Sequence, residues 1–412
     1  MTEPTTRSPG AADDASASRQ HTLRERNLRL VARAIYDAAA APGSPDQVPP
    51  SRADVATATG LTRATVSTLV DRLLAARLVT ELPPVPAQRA GRPAVPLVPA
   101  RRTVVGVGLE VNVDYLGVRV LDLAGDVVAE RVETGSFHDS DPAAVLARLG
   151  ALASDVVAGV RADGMQVAGA RLALPGLVDA RTGELEVAPN LGWSSLDPVP
   201  PLGLGELPVV VANEAKLAAL AELAGDVPPS FLYVSGDVGI GGGIVVDGAL
   251  FLAERGWNGE IGHVVVDPAG PRCTCGAHGC LEQYAGKEAI LRAAGLAADA
   301  PLGELIALLR ADGGAPAGQA RAAVVRAGQA LGSALADFVN LTGVSTVVLG
   351  GVYTDLEEWL RPEVEAGLAD RVLAAPFAPV VVRAAVAGEH AALTGGAREV
   401  LREVVADPAA WG

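Results

Sequence analysis

All three cysteines of this chain fall within eight residues, in Cys273-Thr-Cys275-Gly-Ala-His-Gly-Cys280, and Glu260-Ile-Gly-His263 ends ten positions upstream. One imidazole and three thiolates make a closed four-coordinate set of the kind structural zinc prefers. The imidazole is that of His263 or that of His278, which lies inside the turn. Gly276 and Gly279 are what a tight loop needs to fold back on a metal. An odd cysteine count and the reducing cytosol expected for this chain argue against a disulfide framework, which leaves plain buried thiols as the alternative. Glu260 and Glu282 flank the set, so the segment reads as a metal knot holding carboxylates beside a pocket.

The chain around this knot has 412 residues, enough for two or three domains and a large core. Half of its residues are hydrophobic but only 3% are aromatic, so Ala, Val and Leu must do the packing. No apolar run is expected to be long enough to span a bilayer, and the N-terminus lacks the basic-then-apolar pattern of a signal peptide. The expectation is a cytoplasmic protein with no membrane partner. Charge is distributed unevenly. Residues 1–102 carry 14 Arg, no Lys and 9 acidic residues, a net +5, whereas the remainder carries −20. A basic head on an acidic body suggests that only the head approaches a polyanion.

The head has its own pattern. Residues 1–20 are rich in Ser, Thr, Ala and Asp and read as a disordered arm. Leu28, Val31 and Ile35 recur at helical spacing between Leu23 and Ala41, and a Pro/Gly/Ser-rich loop follows. In Ser51 to Leu74, Ser51 can cap one helix, Gly60 can end it, and Thr62 can cap the next. This is a helix-turn-helix, with Val55, Ala56, Leu61, Val66, Leu69, Val70 and Leu73 as its core. The outer face of the second helix offers Arg63, Thr65, Ser67, Thr68 and Arg72, side chains suited to phosphates and base edges. Leu78–Leu82 reads as a strand leading into a Pro-rich wing, whose Arg89 and Arg92 can enter a minor groove. A helical hairpin with a solvated face is the bland alternative; the absence of acid on that face before Asp71 speaks against it. The domain boundaries that follow are a winged helix-turn-helix over 21–82, a wing and linker over 83–102, and a body over 103–412.

In the body the period changes to that of strands. Val104–Val111, Tyr115–Leu123 and Val127–Thr134 read as consecutive strands, with Ala124-Gly125-Asp126 as a hairpin turn. A helix over Pro142–Arg161, strands Val167–Leu174 and Pro208–Val211, and a helix Glu214–Ala224 come next. Phe231–Val246 is a glycine-interrupted strand pair. Helices Leu281–Leu296 and Ala317–Asn340, strands Thr346–Leu349 and Val380–Ala384, and a helix from about Glu389 to Val404 complete an α/β chain.

With these elements placed, Cys273-x-Cys275-Gly-x-x-Gly-Cys280-x-Glu282, preceded by Gly259-Glu260-Ile-Gly262-His263, resembles the signature of the ROK family (repressors, open reading frames and kinases). Over residues 23–410 the chain is similar to that family's transcriptional-regulator branch. The resemblance implies an α/β fold: an N-terminal winged helix-turn-helix followed by a two-lobed, actin-like body of the sugar kinase/ribonuclease H kind. It implies Zn2+ held by His263, Cys273, Cys275 and Cys280. It also implies a sugar pocket using Glu260, His263, Glu282 and the pair Asn213-Glu214, with Gly176 and Asn190 from two further loops. Carboxylates and amides suit vicinal hydroxyls in a rigid cleft.

The family's sugar kinases wrap a phosphate with Asp-x-Gly-Gly-Thr, where this chain has Glu110-Val-Asn-Val-Asp114. Both glycines are gone, and Asp114 would repel a triphosphate. A second loop, Gly236 to Gly243, carries Asp237 and Val238 where the kinases favour Gly and Thr. Glu214 replaces the catalytic Asp and displaces its oxygen by a methylene. Catalysis is therefore not expected. The reading is a sugar-responsive regulator, a repressor of carbohydrate uptake or metabolism genes, with operator DNA and a sugar or sugar phosphate as partners and a homodimer or homotetramer as the assembly. A ROK sugar kinase using ATP is the alternative, and a regulator governed by a partner protein is a third possibility.

Overall fold

Two capped helices and a strand pair build the head of the chain, whose computed structural model describes residues 10–40, 48–85 and 94–411. Helix α1 spans Gly10–Ala40, α2 Arg52–Thr59 and α3 Arg63–Ala75. The first helix thus starts ahead of Leu23, in keeping with an Ala-rich run that lacks Gly or Pro from Ala11 onward. Residues 1–9 of the expected arm lie outside the described residues. Ser51 and Asp54 form a reciprocal cap: the Ser51 N–H donates to Asp54 Oδ2 at 2.9 Å, and the Asp54 N–H to Ser51 Oγ at 3.4 Å. Gly60 ends α2 at φ 70°, and Thr62 Oγ1 accepts the Thr65 N–H at 3.2 Å to start α3.

The helices bury Leu28, Val31, Ile35, Val55, Val66, Val70 and Leu73, while Leu61 packs half-buried on that core. Each fully buried aliphatic contributes roughly 1.5–3 kcal/mol of transfer free energy. Strands β1 (Val79–Glu81) and β2 (Leu97–Pro99) pair antiparallel, and a further bridge joins Val85 to Ala94. A hairpin therefore frames residues 86–93, which include Arg89 and Arg92 and lie outside the described residues.

The first lobe opens with β3 (Val104–Val111), β4 (Tyr115–Asp122) and β5 (Val127–Thr134), an antiparallel meander. Helix α4 (Pro142–Ala162) crosses to β6 (Gln166–Leu174), which lies parallel to β3. A small sheet of β7 (Leu177–Val178), β8 (Leu185–Ala188) and β9 (Trp193–Leu196) precedes β10 (Val209–Asn213) and α5 (Glu214–Glu222). The main sheet has the order β10-β6-β3-β4-β5. By length and composition α4 is apolar enough to cross a membrane, which corrects the expectation that no run reaches that length. Its Leu146, Leu149 and Ala153 are fully buried in one core with Val107, Leu109 and Val118 of the sheet. The sheet supplies the apolar surroundings that this helix requires.

The second lobe repeats the pattern. Strands β11 (Phe231–Gly236), β12 (Ile240–Val246) and β13 (Ala249–Leu250) form a second meander. The cysteine loop follows, then α6 (Glu282–Ala285), α7 (Lys287–Ala293), α8 (Leu302–Arg310) and α9 (Ala315–Thr342). Strand β14 (Thr346–Gly351), α10 (Val352–Asp355), α11 (Glu357–Arg371) and β15 (Val381–Ala384) complete the lobe. Its sheet order is β13-β12-β11-β14-β15, with β11, β14 and β15 parallel. Two sheets of the same topology, each with three antiparallel and two parallel strands, give the two-lobed actin-like architecture. The helix expected over Leu281–Leu296 is broken by extended backbone at Gly286.

The last helix, α12 (Ala391–Ala406), returns to the first lobe and lies on β3. A Cβ on Gly108 would stand 1.9 Å from the Leu393 carbonyl oxygen, so glycine permits that approach. Farther along, Leu401 and Val404 join the core of the head with Leu28 and Val31. The Tyr36 hydroxyl donates to the Leu78 carbonyl at 2.6 Å, and the Thr103 hydroxyl to the Arg77 carbonyl at 2.8 Å. Head and first lobe share one apolar core.

Candidate functional site

In the second lobe, the loop that leaves β13 folds back on itself. Arg272 bridges His278, and Val265 bridges Cys280. Gly279 is required at its turn: φ is 69°, and an added Cβ would overlap the Asp267 carbonyl oxygen at 1.6 Å. The fold-back brings one ligand atom each of His263, Cys273, Cys275 and Cys280 within 4.8 Å of one another. Cys273 Sγ lies 3.9 Å from His263 Nδ1, and Cys275 Sγ 3.6 Å from Cys280 Sγ. An ion bound to thiolates at about 2.3 Å in tetrahedral geometry needs sulfurs about 3.8 Å apart. A disulfide would need about 2.05 Å. The donor set therefore fits a tetrahedral metal ion. His278 is exposed and faces the Gly270 carbonyl at 3.4 Å, so the open choice between the two histidines falls to His263.

Beside this cluster the expected sugar residues converge from several elements. Asn213 ends β10 and caps α5, accepting the Lys216 N–H at 3.2 Å through its side-chain oxygen. Its amide donates to the Gly176 carbonyl at 3.0 Å, which joins two of the expected loops. Glu282 and Asn190 meet over Gly239: an added Cβ there would lie 2.8 Å from Glu282 Oε2 and 3.4 Å from Asn190 Nδ2. Burial pushes Glu260 above the usual carboxylate range, opposed by Lys216 and His263. Burial raises Glu282 as well, against His263 and the Ile240 N–H at 3.4 Å.

Lys216 had not been singled out from the sequence. It is 4% exposed, donates to the Gly256 carbonyl, and is lowered by burial while Glu260 holds it up. Its signal is a lone lysine in the otherwise Ala/Leu-rich α5.

Glu214, expected in the sugar group, lines a cavity of about 480 Å3 between the lobes. Glu110 and Asp237 line the same cavity. Burial pushes the Glu110 carboxyl up to about 7, with Tyr115 and Asn112 hydrogen bonds opposing. Asp237 sits deep in the cleft yet opens to the water within it; desolvation takes it up to about 6, opposed by Lys287. Glu214 is raised well above its usual value by burial, then by Glu110 and Asp237. Lys287 is the one lysine on the wall of this space, among the described residues.

On the head, Arg63, Thr68 and Arg72 of α3 are exposed. Thr65 and Ser67 are half-buried. The Thr65 hydroxyl meets Thr62 Oγ1 at 2.8 Å, and Ser67 Oγ accepts from Arg52 at 2.8 Å. Arg52 also pairs with Asp71 at 2.7 Å and Glu81 at 2.9 Å, so it ties α2, α3 and β1 together.

A sequence model described as the ROK family matches residues 107–403. The xylose repressor of Bacillus subtilis (strain 168) is 30% identical over 248 residues, 59% of this chain and 64% of that protein. The chain thus spans less than two thirds of that repressor's length. The DNA-binding transcriptional repressor Mlc of Escherichia coli (strain K12) is 27% identical over 353 residues, 80% of this chain and 84% of that protein. Among solved structures, a ROK family transcriptional regulator described as a homologue of the E. coli MLC protein superposes with a TM-score of 0.70. It is 26% identical and covers 92% of this chain and 97% of its own.

Proposed function

The chain belongs to the ROK family, and on that footing we propose that it is a sugar-responsive DNA-binding regulator, a repressor of carbohydrate uptake or metabolism genes without kinase activity. The observation that carries this reading is the shared core of head and first lobe, which places a capped helix exposing Arg63, Thr68 and Arg72 on a sugar-kinase-like body. A likeness covering 92% of the chain reaches into that head, since residues 103–412 make up only about three quarters of it.

Arg63 and Arg72 engage phosphates and base edges of an operator, Thr68 lies between them, and Arg89 and Arg92 extend the contact from the wing. Thr65 and Ser67 sit closer to the helix core and act by setting its first turns. One recognition helix makes too few base contacts for useful selectivity, so the working form is a homodimer or homotetramer. Operator binding puts the protein in the cytoplasm.

His263, Cys273, Cys275 and Cys280 hold Zn2+ as a structural ion, which braces the loop and supplies no reaction chemistry. Bracing fixes Glu260 and Glu282 before a ligand arrives, so little side-chain entropy is lost on binding. Asn190, Asn213, Gly176 and these two carboxylates take up the hydroxyls of a sugar or sugar phosphate, with His263 and Glu214 at the edges of the pocket. The acidic lining of the cleft supports the reading without kinase activity, since Glu110, Glu214 and Asp237 offer a triphosphate no cationic partner.

A sugar changes operator affinity only if it distinguishes two closures of the lobes. Helix α12 spans the necessary distance. Ala391 and Ala392 at its start line the interlobe cavity, and Leu401 and Val404 near its end pack in the head. Gel shifts with operator fragments, run with hexoses, pentoses, N-acetylated amino sugars and their 6-phosphates, test the reading. One of these compounds should move DNA affinity tenfold or more; DNA binding insensitive to all of them would remove the sugar from the mechanism.

A further inference from the structure

Of the 33 basic residues in this chain only two are lysines, Lys216 and Lys287. Lys216 stands in the first turn of α5 and is 4% exposed. A buried ammonium is costly unless hydrogen bonds and an opposite charge compensate it. The turn that carries it is held from both sides. A Cβ on Gly243 of β12 would lie 2.7 Å from the Ala219 Cβ, and one on Gly395 of α12 would lie 1.7 Å from the Leu217 carbonyl oxygen. Asn213 caps the same turn by accepting the Lys216 N–H at 3.2 Å. The Lys216 side chain therefore starts from a fixed base.

Its ammonium donates to the Gly256 carbonyl, in a strap of residues 251–260 that links β13 to the metal loop. This strap has no helix or strand, and its first five residues are exposed. Within it, the Asn258 amide donates to the Phe251 carbonyl at 2.6 Å and the Gly256 N–H to the Leu252 carbonyl at 2.8 Å. Its other ties come from elsewhere in the body. The Ala180 N–H donates to the Arg255 carbonyl at 2.9 Å, and Arg255 pairs with Asp179 at 3.8 Å. Gly259 lies against β12, where an added Cβ would stand 2.3 Å from the Gly242 carbonyl oxygen. The strap ends at Glu260, four residues beyond Gly256, and the Lys216 charge also acts on that carboxylate.

We propose that Lys216 is a positioning residue of the pocket: its ammonium clamps the strap to α5 through the Gly256 carbonyl and so sets the place of Glu260. The inference rests on the reading of Glu260 as a sugar contact. Lys216 acts through the strap rather than on the sugar, in keeping with its enclosure. A compact ammonium with three donors on a flexible stem suits this place better than the planar fork of an arginine. An uncharged side chain would leave the Gly256 carbonyl without its donor and the strap held only by its neighbours.

Hydrogen exchange followed by mass spectrometry on the full zinc-loaded chain tests the proposal. Lys216→Met keeps nearly the same length and removes both donor and charge. Its amides over residues 252–260 should exchange tenfold or more faster than in the unaltered protein, with zinc content unchanged by elemental analysis. Calorimetry with D-xylose, D-glucose and N-acetylglucosamine gives the second readout: whichever of them the unaltered protein binds should bind the variant tenfold or more weakly. Lys216→Ala suits the Ala-rich α5, so the test stands even if Lys216→Met fails to fold. Ethylammonium chloride should restore strap protection to Lys216→Ala, and KCl at the same concentration should not, a rescue that a side chain acting only by packing would not show. Strap exchange as slow in the variants as in the unaltered protein overturns the proposal. So does sugar affinity that survives in Lys216→Met, or a fast strap that ethylammonium slows no more than KCl does. Strap exchange is read without sugar, so an unaltered protein that binds none of the three refutes the reading of the pocket, and the strap alone then decides the role of Lys216.

Discussion

Arg52 on the first helix of the helix-turn-helix donates to the Ser67 hydroxyl on the recognition helix at 2.8 Å, and the same guanidinium reaches the Ser67 carbonyl at 3.1 Å. With Asp71 and Glu81 also paired to it, one arginine sets the angle between two helices and a strand. Its partners are partly solvated, so the network is worth about 1 kcal/mol rather than the value of a buried ion pair. Arg52→Ala should therefore leave the head folded, with a slightly lower thermal midpoint, yet weaken operator binding several-fold by loosening the angle of α3. Unchanged operator affinity would show that the brace does not orient the reading face.

The exposed arginines of α3 act differently. Arg63→Ala and Arg72→Ala should weaken operator binding while leaving sugar affinity intact. Each should lower the slope of log affinity against log salt by about 0.9 if the guanidinium neutralises one phosphate. A titration at several salt concentrations measures this directly. An unchanged slope would assign that arginine to a base edge or remove it from the interface.

The metal loop offers a test that leaves its ligands in place. Gly279→Ala adds a methyl group 1.6 Å from the Asp267 carbonyl oxygen, in a backbone conformation that side chains disfavour. The variant should lose bound zinc by elemental analysis and should melt at a lower temperature than the unaltered protein. A variant with a full zinc complement and an unchanged midpoint would show that the turn tolerates a rearrangement not seen here.

The Glu110 carboxyl ties stability to pH. Burial raises its folded pKa to about 7, above the ordinary carboxylate value. Between those two values the folded state keeps a proton that the unfolded chain releases, so stability falls as pH rises and is level above about 7. The shift is worth up to about 3 kcal/mol. Urea unfolding at pH 5 and pH 8 should show the unaltered protein losing stability relative to Glu110→Gln as pH rises. Parallel behaviour of the two proteins would mean that Glu110 is solvated.

Much of this architecture is legible along the chain because local chemistry and global fold agree there. Seven apolar or small residues out of eight mark β3, and Ser51, Gly60 and Thr62 mark the ends of two helices. Other elements give mixed signals. Helix α11 carries Pro362 and a run of acidic residues, so its buried stripe of Leu360, Val364 and Leu368 is hard to see. The strands of the small sheet between Leu177 and Leu196 are too short to show a period.

The site divides in the same way. His263 and the three cysteines are readable from spacing, since metal ligands of a short loop are close in sequence. Whether His263 or His278 completes the set depends on which way the loop folds back. Glu110 drew notice for what it replaces, but its burial and its partnerless oxygen arise from Tyr115, Asn112 and a second lobe far away in the chain. Lys216 and the Arg52–Ser67 contact depend likewise on packing that no local pattern encodes.

The most direct test follows one sugar through both outcomes. The sugar that moves operator affinity is incubated with the protein and γ-labelled ATP, and both DNA release and labelled sugar are followed. The expected result is that operator affinity shifts while the sugar is recovered without phosphate, because Glu110, Glu214 and Asp237 bar the nucleotide. Accumulation of labelled sugar phosphate over many turnovers would contradict it.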